Sequence, residues 1–240
     1  MTVGIIVIGN EVLSGKVVDT NSPYFCQEFR TLGVDVREIS VVPDEVPVIS
    51  QKVSDFSNRF DFVFTSGGVG PTHDDVTIEG IANAFRVKIV RNSDLAKILN
   101  RWYGEDLNDA RLKMAEVPDG SRLLGQERLT FPLVMFRNVY IFPGIPEILR
   151  EKFEAVKETF RGSPFFLKIV YVRTQEGNLA EYMNQLVVEF PGLLLGSYPV
   201  LHNPEYRVKV TMESKEKDYL EKAAHRFLKA LPEDFVVRVE

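Results

Sequence analysis

Residues 3–9, VGIIVIG, are continuously apolar and rich in β-branched side chains. A run this short, with no alternation, predicts a strand covered on both faces, as in a parallel sheet. Phe25, Phe29 and Leu32 then recur at helical spacing, with Asn21 as a candidate cap and Gly33 as the stop. Residues 34–42 predict a second strand. Val46, Ile49, Val53 and Phe56 mark a second helix, and residues 61–66 a third strand. Ile78, Ile81, Ala82 and Phe85 describe a third amphipathic helix. Three strand–helix units in succession predict an α/β fold, a three-layer, doubly wound, mostly parallel sheet.

The middle of the chain is less regular. Ser93 is the candidate cap of a helix carrying Leu95, Ile98, Leu99 and Trp102, and a short helix is predicted over residues 108–116. LVMF and VYIF flank Arg137-Asn138 and predict a hairpin at the sheet edge. PGIP (residues 143–146) opens a helix with Leu149, Phe153, Val156 and Phe160 on one side. RGSP (residues 161–164) reads as a linker, dividing the chain into domains at 1–162 and 163–240. Beyond it the order strand, helix, strand, strand, helix, strand predicts a smaller ferredoxin-like α+β domain. That domain is expected to pack or to dimerise rather than to carry catalytic residues.

Composition narrows the function. Of 240 residues 45% are hydrophobic, enough for a substantial core. The net charge of -5 argues against nucleic acid as a partner. A single cysteine, Cys26, allows no internal disulfide and suits a reducing compartment. No apolar run approaches the roughly 18 residues of a membrane span. Residues 3–9 lack the basic flank and cleavage site of a signal sequence, and Asn10-Glu11 interrupts them. The expectation is a cytoplasmic protein with neither a nucleic-acid nor a membrane partner.

In a parallel sheet, ligands gather at the carboxyl ends of strands. Four segments are predicted there: GNEVLSGKVVDTN after the first strand, VPDE after the second, TSGGVGPTHDDVT after the third and FPGIPE after the hairpin. Ser66, Gly67, Gly68 and Gly70 allow backbone amides to approach an anion, and the following helix adds its positive end. The spacing fits neither a P-loop nor a dinucleotide fingerprint, and an ordinary tight strand-to-helix turn is the competing reading. Asp74 and Asp75 before the helix have a capping explanation, but two caps are not needed. Carboxylates beside a phosphate repel it unless a cation lies between them, and magnesium is held by one or two carboxylates plus phosphate oxygens. Asp44 and Glu11 on neighbouring strand ends are candidates to complete that shell, although Asp44 also suits a cap. Lys16 and His73 are weaker candidates for phosphate contact and proton transfer.

These segments carry a resemblance. TSGGVGPTHDDVT is similar to the SGG-x-GPT-x-DD-x-T motif of CinA-type proteins, and GNEVLSGKVVDTN resembles their GxE-x-L-x-G-x-x-x-DTN segment. The first 160 or so residues are thereby identified with the molybdopterin-binding-like (MoaB/Mog) superfamily. VVPDEV, FSNRF, GPTHDDVT, RNVYIFPGIPE and LGSYP resemble most the amino-terminal module of eukaryotic FAD synthases. Neither the nucleotide-transferring synthase domain nor the CinA deamidase domain is present, so a standalone module and a piece of a longer protein both remain open. Members that make molybdenum cofactor carry TGGTG followed by an Arg-Asp pair; here the loop is SGGVG and Asp74 stands in place of the arginine. The arginine favours direct phosphate binding, whereas an aspartate favours binding through a metal.

The resemblance implies metal-dependent hydrolysis of a nucleotide pyrophosphate of the FAD or ADP-ribose class. It implies Asp75, Asp44 and Asp74 as catalytic residues. It places Ser66, Gly67, Gly68, Gly70, Thr72, Asn21, Pro143 and Gly144 around the substrate. Asp75, Asp74 and Glu11 would surround a divalent ion, whether magnesium, manganese, cobalt or nickel. The expected partners are a small nucleotide and further copies of the chain, as a dimer or trimer. The alternatives are a molybdopterin-binding or adenylyl-transferring protein of molybdenum-cofactor synthesis, or a non-catalytic regulatory module of an FAD synthase.

Overall fold

Alternate side chains of strand β1 (Thr2–Ile8) enter two different cores. Val3, Ile5 and Val7 join a cluster with Phe25, Phe29, Phe64 and Phe142; Ile6 and Ile8 join another with Ile49, Val53, Phe56 and Ile81. The strand is therefore buried on both faces, as its uninterrupted apolar run predicts. The computed structural model describes residues 1–240 and divides them into two units, Met1–Gly162 and Ser163–Glu240.

In the first unit β1 is followed by α1 (Asn10–Leu13), α2 (Asn21–Thr31), β2 (Asp35–Val42), α3 (Val46–Arg59), β3 (Phe62–Ser66) and α4 (Thr77–Phe85). An insert comes next: β4 (Ile89–Arg91), α5 (Ser93–Tyr103), α6 (Asp109–Lys113) and β5 (Glu116–Pro118), with β4 and β5 paired antiparallel. Then follow β6 (Arg122–Leu124), β7 (Leu133–Phe136), β8 (Val139–Phe142) and α7 (Pro146–Val156). The main sheet has the order β2-β1-β3-β8-β7-β6. β1 runs parallel to β2 and β3, and β8 runs parallel to β3; β7 is antiparallel to β8 and β6. Helices α2 and α7 cover one face, and α3, α4 and α5 the other. β2 lies on one side of β1 and β3 on the other, so the chain order reverses at β1. That reversal opens a crevice at the carboxyl ends of β1 and β3.

Three local expectations are corrected. The hairpin strand β8 lies inside the sheet, beside β3, and β6 forms the edge. All four residues of β8 are buried, which suits a central strand. Asn92, not Ser93, caps α5: its side chain accepts the N–H groups of Asp94 and Leu95. The helix predicted over 108–116 stops at Lys113, because Glu116–Pro118 pairs with β4 instead.

The second unit contains β9 (Phe166–Val172), α8 (Ala180–Glu189), β10 (Leu194–Pro199), β11 (Val208–Ser214), α9 (Lys217–Ala230) and β12 (Val236–Val239). Its sheet has the order β10-β11-β9-β12, antiparallel throughout. With the two helices this is the ferredoxin-like arrangement. Val170, Val172, Val210 and Met212 of the sheet pack with Leu220, Ala223 and Phe227 of α9. No helix of the chain is long and apolar enough to cross a membrane.

Candidate ligand-binding site

Strand β3 ends at Ser66, and the chain turns at once through Gly67 and Gly68, whose φ angles are +107° and +64°. A Cβ on Gly67 would stand 2.1 Å from the carbonyl oxygen of Ile8, and one on Gly68 would stand 2.4 Å from Thr77 Oγ1. Both positions therefore require glycine, for conformation and for space. The Gly67 N–H donates to the Phe142 carbonyl at 3.2 Å. It is engaged in joining β3 to β8, so of the three expected glycine amides it is the one withdrawn from a ligand. Thr77, at the start of α4, donates through its hydroxyl to Gly67 O at 2.8 Å and through its N–H to Gly68 O at 3.0 Å.

Asn21 does not cap α2. Asp19 does, accepting the N–H groups of Asn21 and Ser22 at 2.9 and 3.1 Å. The buried Asn21 amide is thereby free to donate to Ser66 Oγ at 2.9 Å and to Gly144 O at 2.8 Å. It ties the ends of β3 and β8 together beneath the glycine turn. Its Oδ1 is buried and has no partner in the protein. A Cβ on Gly144 would lie 3.4 Å from the Cα of Gly67, so the FPGIPE turn packs backbone to backbone against the glycine turn.

The acidic turn folds back on itself. Asp75 Oδ2 accepts the Thr72 N–H at 2.8 Å and stands 2.5 Å from the Thr72 hydroxyl, which is also 2.6 Å from Asp74 Oδ1. A hydroxyl has one proton to give, so it serves one of the two carboxylates at a time. The Thr72 hydroxyl is the leading influence holding the Asp74 carboxyl below the usual carboxylate range. Neither aspartate caps α4: Val76 occupies the cap position and no side chain caps the helix. Asp44 does not cap α3 either. Its carboxylate accepts the Asn10 N–H at 2.7 Å and links the loops after β1 and β2.

A cavity of about 640 Å³ opens at these strand ends, within the usual range for a small-molecule site. Glu11, Gly67, Gly68, Gly70, Asp75, Pro143 and Gly144 line it. The structure thus brings together seven of the twelve expected site residues. Ser66 and Asn21 form the layer below, Asp44 and Thr72 brace the loops, and Asp74 is 59% exposed beside a fully solvated His73, outside the lining. No group of three or more His, Cys, Asp or Glu converges to hold a metal. Four carboxylates line the cavity, Glu11, Asp75, Glu79 and Glu116; of these Glu11 and Asp75, on the loops at the strand ends, fit a magnesium-like ion together with phosphate oxygens and water, the set such ions commonly take.

Among the lining residues beyond those expected are Lys113, Lys152 and Trp102. Lys113, at the end of α6, donates to the carbonyls of Asp75 at 2.8 Å and Thr72 at 3.2 Å, and lies 3.9 Å from Glu79. Nothing local in the sequence marks it, because the contact depends on how the insert folds over. Lys152 of α7 is 6% exposed and donates to the carbonyls of Phe131 and of Pro132, the latter at 3.0 Å. Burial pulls its ammonium down to about 8. Its signal was present: it falls on the stripe Leu149, Phe153 and Val156 that faces the core. Trp102, expected on the apolar face of α5, is instead 47% exposed and lines the cavity.

Residues 4–162 match the family described as probable molybdopterin binding domain, and residues 164–240 match the family described as FAD synthase, middle domain. A protein of Archaeoglobus fulgidus is 34% identical over 223 residues, covering 93% of this chain and 95% of its own length. A probable FAD synthase of Caenorhabditis elegans is 34% identical over 249 residues, covering 92% of this chain. The alignment takes in 48% of that FAD synthase, so this chain spans about half the length of that relative. Among solved structures, CinA of Thermoplasma acidophilum, described as of unknown function, superposes with a TM-score of 0.61 at 30% identity, covering 67% of this chain and 99% of its own.

Proposed function

Because the chain belongs to the family of the probable molybdopterin binding domain and continues into an FAD synthase middle domain, we propose that its first unit binds a nucleotide pyrophosphate of the FAD or ADP-ribose class and hydrolyses it with a divalent metal. The observation that carries this reading is the meeting of Gly68 and Gly70 with Asp75 and Glu11 in one cavity. Backbone amides near the positive end of α4 favour a phosphate. Asp75 and Glu11 beside that turn favour a phosphate that arrives with a cation.

Water adds to one phosphorus, the bridging P–O bond breaks, and two monophosphates leave. The glycine turn holds the phosphoryl oxygens, with the Gly68 and Gly70 amides facing the charge that grows in the transition state. Asp75 and Glu11 would hold the ion. Asp44 fixes the Asn10 end of the Glu11 segment, and Thr72 fixes Asp75. When bound, the ion supplies Lewis-acid polarisation of the phosphoryl group.

A second reading has its own support. The family description, together with a cavity in which no three acidic or histidine ligands converge, favours a pterin-binding or adenylyl-transferring protein, or a regulatory module of an FAD synthase that binds without turnover. The deciding assay incubates the protein with FAD, ADP-ribose and ATP, with magnesium, manganese, cobalt or nickel and with chelator, and looks for mononucleotides. AMP released from FAD or ADP-ribose only with metal is the expected result. No product with any metal, while a pterin phosphate binds, favours the second reading.

A further inference from the structure

The same cavity has a second character in its aromatic residues and its buried lysine. Trp102 is the only tryptophan of the chain. It sits in the last turn of α5, whose residues Leu95 and Leu99 are fully buried, so the helix is anchored in the core while the indole is left half exposed in the cavity. The Trp102 and Phe131 rings lie 5.5 Å apart, centroid to centroid, inclined at 36°. Lys152 places its ammonium 5.2 Å from the Phe131 centroid. That ammonium has three protons to donate, and its protein partners are the carbonyls of Phe131 and Pro132. A third donor, on a lysine more than nine-tenths buried and lining the cavity, remains for an acceptor that a ligand brings.

Two aromatic faces beside a buried donor match a flat heteroaromatic ring that carries an oxygen or nitrogen acceptor. We propose that Trp102, Phe131 and Lys152 form the subsite for the planar base of the nucleotide, with the two rings covering its face and Lys152 donating to its edge. The proposal rests on the nucleotide reading above and adds which part of the ligand each wall receives. The glycine turn takes the phosphates, and the insert with α7 takes the ring. Flavin and adenine share the required chemistry.

The test is binding without turnover. Trp102 emission of the full chain is titrated, in chelator and again with calcium to bridge phosphate and carboxylates, with riboflavin, adenosine, FAD, ADP-ribose and ribose 5-phosphate. Calorimetry gives the affinities of the variants. Expected is quenching by ring-bearing ligands, with Trp102→Ala weakening FAD or ADP-ribose by roughly 10-fold or more. Ribose 5-phosphate should bind the variant as it binds the wild type. Trp102→Phe should recover most of the loss, and Lys152→Met should weaken the same ligands. Tighter binding of riboflavin than of adenosine identifies the ring as flavin; the reverse identifies adenine. Unchanged affinity of folded Trp102→Ala for both dinucleotides overturns the subsite, as does the absence of any binding by the wild type. Trp102-dependent binding with no hydrolysis under any metal would remove the catalytic reading and leave the subsite standing. Metal-dependent hydrolysis with Trp102-independent binding would do the opposite.

Discussion

The ammonium of Lys113 donates to the backbone carbonyl of Asp75 at 2.8 Å. A second donation, to Thr72 O at 3.2 Å, closes the acidic turn from its other end. Two residues of the glycine-loop motif thus take their position from a lysine in the insert. Lys113→Met should leave the fold intact, with a loss on the order of 1 kcal/mol, since both freed carbonyls lie near the surface and can turn to water. Turnover should fall about 10-fold or more, because a displaced carboxylate no longer meets the reacting group. Lys113→Arg should recover part of the activity. Melting temperature and kcat measured together check this; activity that falls only in step with the folded fraction would make the lysine merely structural.

Gly67→Ala and Gly70→Ala should separate folding from chemistry. At Gly67 the new methyl meets the backbone oxygen of Ile8 and φ is +107°. Neither can adjust cheaply, so a loss of at least about 2–3 kcal/mol is expected, with poor soluble yield. At Gly70 the methyl would come 2.7 Å from Asp75 Oδ2, which is the end of a side chain. That carboxylate can swing away, so stability should change by about 1 kcal/mol or less. Catalysis should drop about 10- to 100-fold. Urea denaturation and pyrophosphate cleavage, measured on both variants, test the contrast.

Much of the frame was legible because each strand and helix states its burial locally. The double-faced run of β1 and the stripe Ile49, Val53 and Phe56 of α3 fix their partners by periodicity alone. The glycine turn was legible for the same reason, since positive φ leaves a compositional mark. The roles of polar residues were not. Asn21 looks like a cap from its place before an apolar stripe, but Asp19 two residues earlier takes the cap and frees the amide for Ser66 and Gly144. Asp44 and Asp75 also look like caps, yet each turns to a neighbouring backbone N–H, that of Asn10 and of Thr72. A cap and a loop brace use the same residue types, and the choice between them depends on partners 34 or more residues away in the cases of Asp44 and Asn21. Lys113 and Trp102 lie in the insert, and only its fold brings them to the cavity; Trp102 continues the apolar stripe of α5 and so carries no local mark of a ligand wall.

Lys152 should give stability a pH dependence of known sign. Burial sets its folded value at about 8, whereas an unfolded lysine titrates near ~10.4. Between the two, the unfolded chain holds more protons than the folded one, so stability rises with pH. Below pH 8 both states keep the proton and the cost of the buried charge is constant. Relative to Lys152→Met, the wild type should therefore gain about 1 kcal/mol per pH unit between roughly pH 8 and 10. Urea midpoints of the two proteins at pH 7, 8, 9 and 10 give the difference directly. A difference that stays flat would mean that the ammonium is not held away from water.

Asp75 and Asp74 give the sharpest separation, because they are adjacent yet placed differently. Asp75 lines the cavity and takes the Thr72 N–H; Asp74 is largely solvated and shares the Thr72 hydroxyl. Asp75→Asn keeps the side chain's shape and an oxygen that can still accept from Thr72. The fold should lose about 1 kcal/mol or less, the net scale of one hydrogen bond. If the carboxylate holds a metal against phosphate, the lost charge should lower cleavage of FAD or ADP-ribose by at least ~100-fold, the scale seen when a group facing transition-state charge is removed. Asp74→Asn should retain substrate affinity and lose less turnover, with a higher metal concentration needed for half-activity. Its effect should also grow weaker in salt, because a solvated charge is screened. Were both aspartates only braces of the turn, the two variants would lose melting temperature and keep their turnover. Melting curves, metal titrations and cleavage rates on the pair decide the matter: a folded Asp75→Asn protein that cleaves at the wild-type rate ends the metal-site reading for this carboxylate.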